Sequence, residues 1–252
     1  MSGFQRYADL LNLFDEGRSD WSIPAISEAL GVPSSTIYRT VRELMAEGFL
    51  EPALEGHYRL GSAFIAFERL IRTTDPIVRI GGELLPDIVA QARVPAVAVL
   101  ARLFGRQVMC VADAAPPGAA VRTSYERGRP RPMLRGATSK VILAQLPSRR
   151  LNRLLETEVD PHPLAPEPVA LRAELTAIRR RGYCITRGEV DEGVVGIAAP
   201  VPVPERALVA SLSLVVSEAA LDDATERRLT LLVVSTANIM TEELRRLGQV
   251  PG

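Results

Sequence analysis

Apolar residues at Tyr7, Leu10, Leu11, Leu13 and Phe14 recur at helical spacing, and Gly17 closes that segment. Trp21-Ser22-Ile23-Pro24 reads as a short connector. A second helix is predicted over 25–30, with Ser22 placed to cap it, Pro24 opening it and Gly31 ending it. After Val32-Pro33 a third helix, 35–47, carries the apolar stripe Ile37, Val41, Leu44 and Met45 and stops at Gly48. The period then changes. Two short extended runs, 49–52 and 54–60, surround a Gly-containing turn and read as a β-hairpin.

A further apolar helix is predicted over 62–72. Thr73-Thr74-Asp75-Pro76 breaks it and marks a domain boundary at Asp75 or Pro76. Residues 77–93 read as a helix with Leu84, Leu85, Ile88 and Val89 on its apolar side. Strands follow at 96–103 and 107–112 about a turn at Gly105, then a run rich in Pro, Gly and Arg over 116–136. Short helices are expected at 139–146 and 151–157, a proline-rich loop at 160–168, and a helix at 169–181 ending at Gly182. Strands at 184–187, 194–200 and 208–216 precede a long last helix, capped by Asp222 and running to about Leu247. Helices and antiparallel strands mix without regular βαβ alternation, so the class is α+β.

Length and composition narrow this picture little. The 252 residues suit one to two domains, and 47% hydrophobic content is enough for a true core. A disordered or fibrous chain is excluded. The 30 basic and 30 acidic residues cancel, but unevenly along the chain. Residues 1–75 hold seven arginines against eleven acids, 76–140 ten basic residues against four acids, and 141–252 thirteen arginines against fifteen acids. Lys140 is the only lysine. Cys110 and Cys184 are far apart in apolar runs, which suits a reducing compartment and makes no metal cluster. His57 and His162 have no partner pattern. No apolar stretch reaches the ~18–20 residues that span a bilayer. The N-terminal residues do not read as a secretion signal, so a cytoplasmic location without membrane partners is expected.

Helix, short Gly-containing turn, helix and hairpin is the order of a winged helix-turn-helix, whose second helix enters the major groove N-terminus first. Off the apolar stripe of that helix lie Ser34, Ser35, Thr36, Tyr38, Arg39 and Arg42. Hydroxyls and a helix N-terminus suit phosphates, and arginine suits phosphates or guanine edges. His57 and Arg59 fall on the wing. The alternative is an ordinary small helical domain with solvated serines and arginines, which the net charge of −4 over 1–75 favours.

Beyond residue 75 there is no phosphate loop, dinucleotide glycine fingerprint or Gly-x-Ser-x-Gly elbow, and almost no histidine. No catalytic residue, cofactor or metal is therefore assigned. Glu189, Asp191 and Glu192 read as a solvated acidic turn. Arg122, Arg127, Arg129, Arg131 and Arg135 could hold a carboxylate ligand, face a partner or DNA backbone, or form a solvated basic loop. The Gly/Ala-rich segments 193–200 and 208–216 fit an apolar ligand cavity as well as an ordinary buried sheet.

These segments together resemble the IclR family of bacterial transcriptional regulators over nearly the full length. The resemblance is carried by residues 23–39 (IPAISEALGVPSSTIYR), Gly48-Phe49-Leu50, Tyr58-Arg59-Leu60-Gly61, 132–144 (PMLRGATSKVILA), Arg181-Gly182-Tyr183 and 193–201 (GVVGIAAPV). It implies a winged helix-turn-helix (1–61), a linker helix (62–75) and a GAF-like effector-binding and oligomerisation domain with a mixed antiparallel sheet (76–252). It further implies a homodimer or homotetramer on a near-palindromic double-stranded DNA operator, regulating catabolic genes under control of a small organic, possibly aromatic, acid. The alternative is a constitutive regulator whose second domain only oligomerises. The implied effector positions are Met133, Ala137, Thr138, Ser139, Thr186, Val194, Gly196, Ser213 and Val215. The family often has His, Gly, Cys and Ser where this chain has Leu134, Ser139, Gly196 and Val215. From those departures a roomier, more apolar pocket is expected.

Overall fold

In a computed structural model the described residues are 3–118, 121–131, 133–157, 166–203 and 208–249. The chain divides into two compact units, Met1–Asp75 and Pro76–Gly252.

In the first unit α1 (Gly3–Leu11), α2 (Ile23–Leu30) and α3 (Ser34–Ala46) enclose Leu10, Ile26, Ile37, Val41, Leu44 and Leu50. α1 stops at Leu11, short of the expected Phe14. Leu13 and Phe14 keep the apolar pattern because they pack on the core from turns. The stretch read as a connector holds a strand, β1 (Asp20–Ser22). It pairs with β3 (His57–Leu60), which also pairs with β2 (Leu50–Pro52), giving a three-stranded wing sheet of order β1-β3-β2. Three residues are too few to display an alternating pattern. Ser22 stands at the N-cap of α2 in extended backbone but its hydroxyl accepts no capping bond, while Gly31 closes α2 at φ +63°. Pro33, not a hydroxyl residue, precedes α3.

α4 (Ala63–Thr74) buries none of its residues, and its Phe64 and Phe67 rings stand 5.5 and 5.8 Å from that of Phe49. Gly61 sits where the chain leaves the wing. A Cβ there would lie 2.2 Å from the Gly48 carbonyl oxygen, which itself accepts from the Ala63 N–H at 3.0 Å. Gly61→Ala is expected to destabilise this unit by about 1–3 kcal/mol through overpacking. An earlier urea midpoint for an isolated 1–75 fragment checks it; an unchanged midpoint would refute the contact.

In the second unit β4 (Ala96–Phe104), β5 (Gln107–Ala114), β6 (Pro130–Arg131), β7 (Cys184–Arg187), β8 (Val194–Val203) and β9 (Leu208–Ser217) form one antiparallel sheet of order β6-β5-β4-β9-β8-β7. Strand alternation divides its side chains between two cores. Ala96, Ala98 and Leu100 of β4 join Leu212, Leu214 and Val216 of β9 beneath α5 (Pro76–Ala92) and α9 (Asp223–Gln249). Val97, Val99 and Ala101 face the other way, with Val215, toward α6 (Ala137–Gln145), α7 (Ser148–Thr157) and α8 (Pro168–Arg181). With both faces covered, β4 and β9 read as near-continuous apolar runs.

Arginines satisfy the ends of two helices here. Arg179 donates to the Ala144 and Leu146 carbonyls at 2.7 and 2.9 Å, and Arg228 to that of Ala92 at 2.7 Å. Asp222 accepts from the Thr225 N–H at 2.7 Å, and bonding to Thr225 holds its carboxyl below the usual range. The first residues of the expected 160–168 loop, and His162, lie outside the described residues.

Candidate functional site

On α3, burial of Ile37, Thr40, Val41 and Leu44 turns the opposite side to solvent. Ser34, Ser35, Tyr38, Arg39 and Arg42 are exposed there, and Thr36 is half-buried. Ser34 Oγ donates to Ser27 Oγ at 3.1 Å, and Arg42 stands 6.0 Å from the centre of the Tyr38 ring. Arg39 has no hydrogen-bond or ion-pair partner among the described residues. The one acid of this helix, Glu43, stands one turn beyond Arg39 and accepts from the Tyr7 hydroxyl of α1.

The wing is electrostatically different. Arg59 donates through Nε and Nη2 to Glu51 at 2.8 and 2.7 Å, and His57 Nε2 lies 3.8 Å from Asp20. Glu55 adds a further acid beside Leu54, which is 85% exposed at the hairpin tip. Both wing side chains thus have an acid beside them, which the β3 register brings about: Glu51 and Asp20 stand opposite Arg59 from its two neighbouring strands, and Ser22 opposite His57.

In the second unit a recess opens in front of the α6 N-terminus. Of the expected positions, Ala137, Thr138, Thr186, Val194, Gly196 and Val215 line it. Met133, Ser139 and Ser213 do not: they are buried in its walls, at 2%, 0% and 0% exposure. Thr138 Oγ1 and Ser213 Oγ share a hydrogen bond of 2.8 Å, and the Ala137 N–H donates to Thr186 Oγ1 at 3.0 Å.

The free volume is only about 30 Å³. That is room for a water or two, and the expectation of a roomy cavity is corrected. A Cβ at Gly196 would already touch Ala137 Cβ at 3.5 Å and Thr186 Oγ1 at 3.6 Å. Two loops fill the rest, and both were missed: Thr123 and Tyr125 from one, Gly188, Glu189, Val190 and Asp191 from the other. Tyr125 is 4% exposed, and its hydroxyl lies 3.0 Å from Ser139 Oγ. Burial pushes that phenol above its ordinary pKa, against the opposing pull of the Ser139 hydrogen bond and the Arg131 charge, so it stays neutral. The lining is not wholly apolar either, since two carboxylates belong to it.

Those carboxylates correct the reading of 189–192 as a solvated turn. Asp191 accepts from the Ser124 N–H at 2.9 Å, from the Ser124 hydroxyl, and from Thr123 Oγ1 at 3.3 Å, fastening the two loops together. Glu189 accepts from the Gly136 N–H at 2.9 Å and from Lys140 Nζ at 2.7 Å. Lys140 is 3% exposed and also reaches Glu174 at 2.9 Å. Gly136 is required here twice over: its φ is +83°, and a Cβ would meet Val190 Cγ2 at 2.6 Å. The arginine cluster is dispersed. Arg135 is buried and donates to the Glu189 carbonyl at 2.7 Å, while Arg122, Arg127 and Arg129 are exposed. Arg131, opposite Val108 on the α6 face, has a buried Nε without a hydrogen-bond partner.

Comparison with known proteins agrees with these two units. The IclR helix-turn-helix domain matches residues 4–53, and the bacterial transcriptional regulator IclR C-terminal domain matches residues 90–241. The HTH-type transcriptional regulator XynR of Escherichia coli is 30% identical over 226 residues, covering 87% of this chain and 88% of its own. An IclR regulator from Silicibacter sp. TM1040 superposes with a TM-score of 0.84 at 22% identity, over 99% of this chain and 97% of that one. An IclR homologue from Microbacterium hydrocarbonoxydans, solved with 4-hydroxybenzoate, gives 0.79 at 22% identity over 96% and 99%. A DNA-binding helix-turn-helix unit followed by a unit matched along most of its length by the C-terminal domain places this chain in the IclR family of bacterial transcriptional regulators.

Proposed function

We propose that the protein acts in the cytoplasm as a homodimer or homotetramer whose α3 helices read successive major grooves of a near-palindromic operator about 34 Å apart. A small organic acid, aromatic in character, bound in front of α6 would shift the population between DNA-binding and non-binding states. Such control requires the effector to favour one state, with coupling of typically 1–3 kcal/mol. The observation that carries this reading is the recess itself, which two loops close and one carboxylate fastens. Support for an acid comes from the Arg131 charge, which does not line the recess but acts on Tyr125 within it, and whose Nε is buried without a hydrogen-bond partner. Support for an aromatic acid comes from the relative solved with 4-hydroxybenzoate.

A sensing role for this unit, rather than a catalytic one, agrees with its thiols. Cys110 and Cys184 are buried, and burial pushes both up to about 12, far from a reactive thiolate. Among the described residues no group of His, Cys, Asp and Glu could hold a metal ion, and no helix is long and apolar enough to cross a membrane.

The second reading, a constitutive regulator without effector, is favoured by the small free volume of about 30 Å³. A thermal-shift screen of aromatic and aliphatic acids separates the two. An acid at 100 times its Kd adds about 2.7 kcal/mol of stability, and the same acid should change the anisotropy of labelled DNA from upstream of the protein's own gene. Acids that neither raise Tm nor alter DNA binding would establish the constitutive reading.

A further inference from the structure

The recess is small because a residue of the protein already sits in it. Tyr125 places a phenol against Gly136, Ala137 and Thr138, almost wholly out of solvent, with its hydroxyl on Ser139. The backbone has been cleared to admit it, since a Cβ on Gly136 would lie 3.1 Å from the Tyr125 hydroxyl. The ring packs in the core on the α6 side of the sheet, yet it belongs to no strand. Its segment, 121–126, lies outside any helix or strand, tied to the opposite loop by the Asp191 contacts to Thr123 and Ser124 and to β5 only beyond it, through the Arg127 bridge to Cys110. A neutral phenol held by the Ser139 and Thr138 hydroxyls and by core packing can withdraw without breaking a strand ladder. Its withdrawal would leave a ring-sized cavity walled by Ala137, Val190, Val194 and Val215, with Ser139 at its end. Those Ala and Val walls suit a small aromatic ring, as apolar cavities do, while Glu189 and Asp191 lie in the closing loop.

We propose that Tyr125 is an internal occupant of the effector cavity and selects its ligand class. Compact para-substituted phenols enter by taking the place of the tyrosine ring and its hydrogen bond to Ser139. This rests on the effector reading above. Any entering ligand must first displace the tyrosine, so the apparent affinity of the wild-type protein is lowered by the small fraction of molecules with Tyr125 withdrawn.

The probe that tests this is 4-methylphenol, the tyrosine side chain as a free molecule, titrated calorimetrically into the full-length protein. Tyr125→Ala should bind it at least about tenfold more tightly than wild type, because the displacement step is gone. Adding Ser139→Ala to that variant should abolish its preference for 4-methylphenol over toluene. Asp191→Asn keeps the tyrosine and loosens the loop, so it should also tighten binding; it serves if Tyr125→Ala does not fold. Affinity in either variant no tighter than in wild type overturns the proposal. DNA anisotropy in parallel separates the two ideas. Tight probe binding to Tyr125→Ala without any change in DNA affinity upholds the occupant and removes the effector role. An acid that releases DNA from wild type, while Tyr125→Ala gains no affinity for the probe, does the reverse.

Discussion

Arg39→Ala should lower operator affinity by about 5- to 150-fold, the 1–3 kcal/mol expected for loss of one direct base contact, with no change in Tm. Arg39 is exposed on α3 and has no partner among the described residues, so its removal should leave the folded unit intact. Arg59→Ala should have a much smaller effect, because Glu51 already neutralises that guanidinium through two close contacts. The net charge of −4 over residues 1–75 does not oppose local contacts by α3, since exposed charges are screened beyond about 8 Å at physiological salt. Anisotropy at two salt concentrations checks this. A salt slope reduced by about one marks Arg39 as a phosphate contact, and an unchanged slope with relaxed sequence preference marks it as a base contact. Unaltered affinity would take α3 out of recognition.

Lys140→Ala is expected to have the largest effect on stability, a loss of up to about 3 kcal/mol, the low end for a broken buried pair because Glu174 and Glu189 keep 33% and 27% of their side chains in solvent. It leaves Glu174 and Glu189 facing one another in a site that is 3% exposed at the lysine, without the cation between them. For a domain of this size the fall in Tm is on the order of 10 °C. Lys140→Met combined with Glu174→Gln and Glu189→Gln should recover most of it, because the penalty comes from the unpaired charges. The pH dependence follows from the lysine. Burial alone would lower its pKa, but hydrogen bonds to Glu189 and Glu174 outweigh burial and hold it above the ordinary value. The folded state therefore keeps the proton more tightly than the unfolded chain. The contribution is complete below the unfolded pKa of about 10.4 and fades as pH rises through the higher folded value. Urea melts of wild type and Lys140→Met should differ by a constant amount from neutral pH to about 9 and converge above. Convergence on the acid side of neutrality alone would contradict the assignment.

What could be read from the chain was set by period and punctuation. The α3 stripe of Ile37, Val41 and Leu44, the left-handed Gly31 after α2, and the near-continuous apolar runs of β4 and β9 are all local signals. β1 escaped because a three-residue strand has no period, and α1 ran long because Leu13 and Phe14 bury their side chains without being helical. The α3 face was accessible for the same reason as the helix: what lies off the stripe is exposed. The recess was only half legible. Its floor comes from regular elements, α6, β7, β8 and β9, whereas its closing wall comes from two loops whose partners lie 67 and 68 residues apart, as in Ser124 and Thr123 with Asp191. An acidic trio looks the same in sequence whether water or a buried lysine neutralises it. The uniqueness of Lys140 in an arginine-rich chain was the available signal.

One feature of the wing sheet has a practical use. Trp21 of β1, the only tryptophan in the chain, donates its indole N–H to the Leu13 carbonyl at 3.1 Å and lies under the Arg18 guanidinium, 3.4 Å from its ring centre. Intrinsic fluorescence excited near the red edge of protein absorption therefore monitors the DNA-binding unit alone, through an indole whose surroundings are lost when β1 leaves β3. The second unit is silent at that wavelength. Its melting must be followed by calorimetry or circular dichroism, and the gap between the two transitions measures how independently the two units unfold.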